Sequence, residues 1–226
     1  MTTDASRSPV ASPPSWSEAE RMAALDSYAI LDTPAEPDFD DLVLLAAQAF
    51  DVPIAVINLI ASDRQWFKAQ IGLAAREMPL EVSICTHALA QDDVLVVPDT
   101  RLDDRFADNP LVTADDGLRF YAGFLLKSAE GLPMGTLCVL DTKPRRLSDA
   151  QRNALRVLAA QVMNQLDLRL ALSRQELMRQ EIDHRVKNSL QSIGAYVRQR
   201  RRRSQSDEAK DTLAAVETRI EAVASL

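Results

Sequence analysis

The chain has 226 residues, enough for one full domain and a smaller second module. Apolar residues make up 46 % of it and charged residues 26 %, so it is typical of a globular protein with enough apolar material for a core. The formal net charge of −7 argues against general nucleic-acid binding. The longest apolar runs, such as Leu42–Ala47, are far shorter than the roughly 18 residues of a membrane span, so no span is expected.

The N-terminus and the cysteines restrict the interpretation further. Residues 1–17 are rich in Ser, Pro and Thr and lack the apolar core of a signal peptide, so we expect a disordered tail and a cytoplasmic protein. The two cysteines, Cys85 and Cys138, are too few for a disulfide framework or a tetrahedral zinc site. We therefore expect no metal and interpret both as small buried side chains.

The spacing of apolar residues predicts two helices at the start of the chain. The first covers Ser17–Ile30, and the second covers Asp38–Phe50 with one apolar face. Leu31–Pro37, with two prolines, separates them.

About five β-rich runs follow, so the sequence predicts an α+β fold. Glu77–Ala90 is interpreted as a loop leading into a short helix near Cys85–Ala90, and the acidic segment Thr100–Asp116 as an irregular cover for one sheet face. Lys127–Pro133 is expected to join the last two strands as a hairpin. The predicted strands are Pro53–Ala61, Gln65–Ile71, Val94–Val97, Leu118–Leu126 and Met134–Asp141.

The C-terminal third predicts long helices. Ser148 and Gln151 form a capping box, and apolar residues then recur at spacings of three and four up to Val197. Arg198–Arg203 interrupts this pattern and is expected near a solvated turn, after which Ser206 begins a second helix. Because neither helix can bury its apolar stripe alone, this α-hairpin is expected to dimerise as a four-helix bundle.

His184 lies on the polar side of the long helix. At 100° per residue it is about 200° from the apolar Ile182 and Val186, and it shares its stripe with Glu181, Lys187 and Asn188. From spacing alone, an ordinary solvated helix face with an incidental histidine is the favoured interpretation of this pattern.

The residues around His184 resemble a known phosphorylation site. Glu181-Ile-Asp-His-Arg-Val-Lys-Asn-Ser-Leu-Gln191 resembles the phosphoacceptor box of sensor histidine kinases of the HWE group, and Thr218–Leu226 resembles the second helix of that hairpin. The resemblance implies that His184 attacks the γ-phosphoryl group of ATP and that Asp183 or Glu181 accepts the ring proton. Lys187 and Asn188 would contact the phosphoryl group or the nucleotide-binding domain.

The upstream part of the chain resembles a GAF domain. The segments that carry this resemblance are Ile30-Leu-Asp-Thr-Pro34, Arg64-Gln-Trp-Phe-Lys68, Ser83-Ile-Cys-Thr-His-Ala-Leu89, Phe120-Tyr-Ala-Gly123 and Gly135-Thr-Leu-Cys-Val-Leu-Asp141. The GAF resemblance implies an antiparallel sheet with helices over residues 18–162. Together with the resemblance around His184, it implies a connecting signalling helix over 163–180 and the phosphoacceptor hairpin over 181–226.

The ligand of this domain stays open. Cys85 and His87 are weak candidates for holding a bilin or haem, but their order Cys-Thr-His differs from the adjacent Cys-His pair of many phytochrome-like domains. A GAF domain with an unknown or absent ligand is therefore favoured. Cys85 and Cys138 are also a candidate redox pair, although sequence gives no distance between them.

The sequence predicts a truncated two-component kinase. No glycine follows Gly194, whereas an ATP-binding domain needs glycine-rich motifs, so we expect no cofactor here and ATP with magnesium in the full-length kinase. We expect a homodimer that passes phosphate from His184 to an aspartate of a response-regulator receiver domain. Two alternatives remain, a non-catalytic phosphotransfer or dimerisation module and a bilin-binding photoreceptor, and whether the chain itself counts as an enzyme stays open.

Overall fold

The computed structural model describes residues 16–91 and 94–224. Most of the predicted disordered tail, and the last two residues of the predicted hairpin, lie outside these ranges. The chain divides into two compact units, one up to Leu170 and one from Ala171 onward.

Two helices open the first unit, as predicted. Helix α1 spans Glu18–Ser27 and begins at a capping box, in which the backbone N–H of Glu20 donates to Oγ of Ser17 at 3.2 Å. It ends before the predicted Ile30 because Ala29 adopts a left-handed backbone conformation with φ 45°. Helix α2 spans Pro37–Phe50, with its proline in the first turn, where no helical N–H is lost.

A six-stranded antiparallel sheet follows, formed by the strands β1 (Ile54–Ile60), β2 (Arg64–Ile71), β3 (Glu77–Pro79), β4 (Val94–Val97), β5 (Phe120–Lys127) and β6 (Pro133–Asp141). Their order across the sheet is β3-β2-β1-β6-β5-β4. Its outermost strand β3 has only three residues and lies in the segment interpreted as a loop, so that expectation is corrected. The predicted hairpin is confirmed as β5 and β6.

Alternate residues of the sheet enter two separate cores. On β1, Ala55, Ile57 and Leu59 join the core under α1, α2 and the start of the long C-terminal helix. Ile54, Val56 and Ile60 join the core on the other face. That second face is covered by a short 3₁₀ turn at Cys85–Ala88 and by the acidic segment, which includes the four-residue helix α3 (Pro110–Thr113) and contributes Phe106 and Val112.

The C-terminal helices are α4, Asp149–Arg203, and α5, Asp207–Ala224. The capping box at Ser148 is confirmed by the hydrogen bond from the Gln151 N–H to Oγ of Ser148 at 3.2 Å. Arg198–Arg203, expected near a turn, forms the end of α4 and directly precedes the break before α5, because arginine favours helix and a C-terminus favours positive charge. None of the helices in the described ranges is both long and apolar enough to cross a membrane.

Candidate functional site

His184 lies on the exposed surface of α4, within the second unit. Its Nδ1 is 3.5 Å from Nδ2 of Asn188, one helical turn further on. Rotation of the Asn188 amide by 180° exchanges its nitrogen and oxygen without changing the fit. The oxygen then accepts a hydrogen bond from Nδ1–H of the other ring tautomer. In that arrangement Nε2 carries the lone pair, which makes it the nucleophilic nitrogen.

The other predicted site residues share the same stretch of helix. Glu181 forms an ion pair with Arg185, and both side chains are mostly exposed. Asp183 and Lys187 are exposed as well. Among the described residues, Asn188 is the side chain within hydrogen-bonding distance of the imidazole. Neither Asp183 nor Glu181, the two candidate bases, contacts the ring in this conformation.

An apolar stripe runs along the same part of α4 and is left uncovered by residues 16–91 and 94–224, the described part of the chain. Four of its side chains are at least half exposed: Met178, Ile182, Val186 and Ile193. Contiguous exposed apolar surface of this kind is typical of a helix that packs on a partner helix.

The end of α4 packs on α5. Gly194 lies against Ile220, since a Cβ at Gly194 would be 3.7 Å from its methyl group. Glu217 of α5 is mostly buried and forms ion pairs with Arg201 at 3.0 Å and with Arg198 at 3.5 Å. These two arginines therefore link α4 to α5, whereas Arg200, Arg202 and Arg203 of the same run are exposed beside the turn, as expected.

Cys85 and His87 are neighbours in the first unit but face different surroundings. Cys85 is buried and lines a cavity of about 280 Å³. His87 is exposed, lines a separate open groove and contacts the ring of Phe106 edge-on at 4.9 Å. The structure therefore does not bring this thiol and this imidazole to one ligand, as a bilin or haem site built from the two would need.

A buried polar cluster surrounds Cys85 instead, and sequence reasoning found only its cysteines. Nδ2 of Asn58 donates to the Thr136 hydroxyl at 2.7 Å and to Sγ of Cys85 at 3.3 Å. Sγ of Cys85 lies 3.8 Å from Sγ of Cys138. The available signal was Asn58 itself, a polar residue in the otherwise apolar strand Ile54–Ile60.

Two protein-family models match this chain, one in each of its two units. Residues 18–166 match the family model of the GAF domain, which is more than half of the chain. The chain belongs to the GAF domain family. Beyond this GAF domain, residues 181–226 match the family model described as histidine kinase, and this second match contains His184. Both resemblances drawn from the sequence are thus confirmed at the level of the family.

A curated relative shares part of the chain. A cyclic di-GMP phosphodiesterase of Pseudomonas aeruginosa is 42 % identical over 128 residues, which is 57 % of this chain and 22 % of the relative. The chain thus spans about a fifth of the length of that relative. Because the unit that begins at Ala171 holds only 56 residues, most of the match falls in the GAF domain unit.

Solved structures support the GAF fold. The GAF domain of an Acinetobacter phosphoenolpyruvate-protein phosphotransferase superposes with a TM-score of 0.50 at 18 % identity, over 69 % of this chain and 98 % of that one. A domain of a putative two-component sensor histidine kinase from Sinorhizobium meliloti gives a TM-score of 0.50 at 17 % identity, over 62 % and 97 %. At sequence identities this low, the similarity to these two structures shows a shared fold alone.

Proposed function

We propose that this chain is the sensory and phosphoacceptor portion of a cytoplasmic two-component sensor histidine kinase, with His184 as the phosphorylated residue. The observation that carries the proposal is the exposed imidazole of His184, held beside Asn188 inside the segment that matches the histidine kinase model. An exposed side chain on a rigid helix is accessible both to a nucleotide-binding domain and to a receiver domain.

The chemistry follows from the neutral ring. The Nε2 lone pair attacks the γ-phosphorus of ATP in line, so that the N–P bond forms while the bond to the ADP oxygen breaks and ADP leaves with the electron pair. The proton on Nδ1 then passes to Asp183 or Glu181, either directly or through water. If Glu181 is the base, it must first release Arg185, which is then free to meet the new negative charge.

ATP with magnesium would be presented by a nucleotide-binding domain, in this protein or in another. Lys187 and Asn188 lie three and four residues beyond His184 and therefore on its side of the helix. We assign them contacts with the phosphoryl group or with that domain. The same exposed face would then give the phosphoryl group to a receiver-domain aspartate.

Dimerisation follows from the uncovered apolar stripe of α4. A second copy of the hairpin would bury Met178, Ile182 and Val186 in a four-helix bundle, which stabilises both hairpins by the hydrophobic effect. The GAF domain is the proposed sensor, and α4 is the proposed route of its signal, since one uninterrupted helix runs from Asp149 to Arg203. The similarity to a cyclic di-GMP phosphodiesterase supports a sensory role that can be coupled to different outputs.

A labelling experiment tests the proposal, and the chain offers a matched control because it contains two histidines. Incubation with the catalytic domain of an HWE-type kinase and labelled ATP should give acid-labile, base-stable label on the wild-type chain. His184→Gln should abolish this label, whereas His87→Gln should retain it in full. Equal labelling of the His184→Gln variant and the wild type would contradict the assignment.

A further inference from the structure

The two cysteines of the chain meet inside the first unit although 53 positions separate them. Cys85 lies in the 3₁₀ turn over the sheet, and Cys138 lies on β6, at the centre of the sheet. Their sulfur atoms are 3.8 Å apart, and Nδ2 of Asn58 lies within 3.5 Å of both. A disulfide needs about 2.05 Å between the sulfurs, so bond formation requires a shift of less than about 2 Å.

The two thiols differ in their electrostatic environment. The hydrogen bond from Cys138 lowers the pKa of Cys85 below its ordinary value, against the opposing effect of burial. The same interaction, together with burial, raises the pKa of Cys138 well above its ordinary value. Since the thiolate is the reactive form, Cys85 is the nucleophile of the pair and Cys138 remains a thiol.

Both cysteines line the 280 Å³ cavity described above. Its other lining side chains are mainly apolar and include Val56, Phe67 and Leu140. A cavity of this size and character admits a small neutral oxidant, whereas it disfavours large or charged molecules.

We propose that Cys85 and Cys138 form a peroxide-sensitive dithiol that closes to an intramolecular disulfide. The Cys85 thiolate attacks one oxygen of a hydroperoxide, the O–O bond breaks, and the released oxygen leaves as water or an alcohol after taking up a proton, which gives a sulfenic acid. Cys138 then loses its proton and attacks the Cys85 sulfur as the thiolate; the S–S bond forms, the S–O bond breaks, and the leaving hydroxide takes up that proton and departs as water. Two thiols and one hydroperoxide thus yield one disulfide, one alcohol or water, and one further water.

This modification does not depend on the phosphoacceptor role of His184, so each can fail without the other. Strand β6 is held by hydrogen bonds to strands on both sides, so Cys138 has little freedom to move. The turn that carries Cys85 must therefore make the small shift that closes the bond. A small-molecule dithiol such as dithiothreitol should reverse the reaction by thiol–disulfide exchange.

Intact-mass analysis of the full chain tests the proposal without any variant. After treatment with a small excess of hydrogen peroxide and alkylation in denaturant, the chain should have lost two hydrogens, bind no maleimide and run as a monomer on a non-reducing gel. Dithiothreitol should then restore two maleimide sites, the full number of cysteines in the chain. Two maleimide adducts after peroxide treatment, or disulfide-linked dimers alone, would overturn the proposal.

Two variants test the division of roles. In Cys138→Ser the hydroxyl can still donate a hydrogen bond to the Cys85 sulfur, but the sulfenic acid at Cys85 has no thiol partner and should be captured by dimedone, whereas Cys85→Ser should give no adduct at Cys138. Circular dichroism establishes that both variants are folded before they are compared. Dimedone capture at Cys138 that equals or exceeds capture at Cys85 would refute the assignment of Cys85 as the nucleophile.

Discussion

At the residue scale, the tautomer of His184 decides whether its ring can react. Only a lone pair can attack phosphorus, so one ring nitrogen must hold the proton while the other reacts. The amide nitrogen of Asn188 lies 3.5 Å from Nδ1. With the amide rotated by 180°, its oxygen would face the ring and keep the proton on Nδ1. This contact is long and exposed, so its effect on the rate should be modest.

Asn188→Ala should therefore slow phosphorylation of His184 by about twofold to tenfold, since one hydrogen bond contributes roughly 0.5–1.5 kcal/mol. Asn188→Asp keeps an acceptor for the Nδ1 proton and should retain more of the rate than alanine. The initial rate of labelling by a kinase catalytic domain measures both. Ser189→Ala, whose hydroxyl bonds to the Arg185 carbonyl of its own helix, is the control. An Asn188→Ala rate equal to that of the control would remove Asn188 from the site.

A second residue-scale prediction concerns Arg21, whose side chain is almost fully buried in α1. Its guanidinium donates to the Ile60 carbonyl at 2.7 Å and to the carboxylate of Glu18. The hydrogen bond from Arg21 lowers the pKa of Glu18 below its ordinary value. The ionised Glu18 therefore contributes stability above its ordinary pKa, and this contribution is lost as the pH falls through the lowered pKa.

Glu18→Gln should accordingly lower the Tm at neutral pH, and the difference from the wild type should shrink as the pH falls below about 4. Thermal unfolding monitored at a series of pH values measures this difference. Glu81→Gln, at an exposed glutamate of the 3₁₀ turn Leu80–Val82, is the control and should leave the Tm nearly unchanged. A Tm difference between Glu18→Gln and the wild type that grows as the pH falls would refute the stabilising role of this ion pair.

At the element scale, the contact between β1 and β6 leaves no room for a side chain at Gly135. A Cβ there would lie 2.0 Å from the backbone oxygen of Asn58 and 2.8 Å from Cα of Leu59. Both strands are central and their neighbouring residues are buried, so the backbone has little freedom to move away.

Gly135→Ala should therefore cost at least about 2 kcal/mol in the free energy of unfolding, which urea titration of the chain measures. Gly131→Ala is the matched control in the β5–β6 turn: a Cβ there meets nothing within 4 Å, but φ is +82°. Its cost should be about 1 kcal/mol, from backbone strain alone. Equal costs for the two variants would mean that the close approach of the strands does not limit stability.

How far the sequence predicts the elements depends on their length and pattern. The helices α1 and α2, the β5–β6 hairpin and the capping box at Ser148 carry strong local signals, and all were predicted. Strand β3 was missed because three residues are too few for an alternating pattern. The end of α4 was missed because a run of arginines breaks the apolar pattern without breaking the helix.

The parts of the sites that depend on tertiary contacts were beyond sequence. Asn58, Cys85 and Cys138 come from three distant segments, and only the folded sheet brings them together. The exposure of His184 was predictable because helical phase alone fixes it relative to Ile182 and Val186. The pairing of Glu217 with Arg198 and Arg201 was not, since it depends on how the hairpin closes.

At the scale of the whole molecule, the proposed dimer explains the apolar stripe of α4. Ile182 and Val186 are about half exposed in the single chain, and hydrophobic side chains at this spacing are stabilised when a partner helix covers them. Placing charge in such an interface is costly because the carboxylates would be buried without a partner.

The double variant Ile182→Glu and Val186→Glu should therefore convert a dimer into a monomer at micromolar concentration, as measured by light scattering after size exclusion. Gln191→Glu is the control, because it adds charge two turns beyond His184 on the opposite, polar side of α4 and should leave the dimer intact. A wild-type chain that is monomeric at high concentration would contradict the dimer itself.

The most direct test of the account is to locate the phosphoryl group on the phosphorylated chain. Tandem mass spectrometry at neutral pH, where phosphohistidine survives, distinguishes the peptide that contains His184 from the one that contains His87 in the other unit. The account predicts phosphate on His184 alone, and its loss when a receiver domain is added. Phosphate on His87, or on a serine or aspartate while His184 stays unmodified, would contradict it.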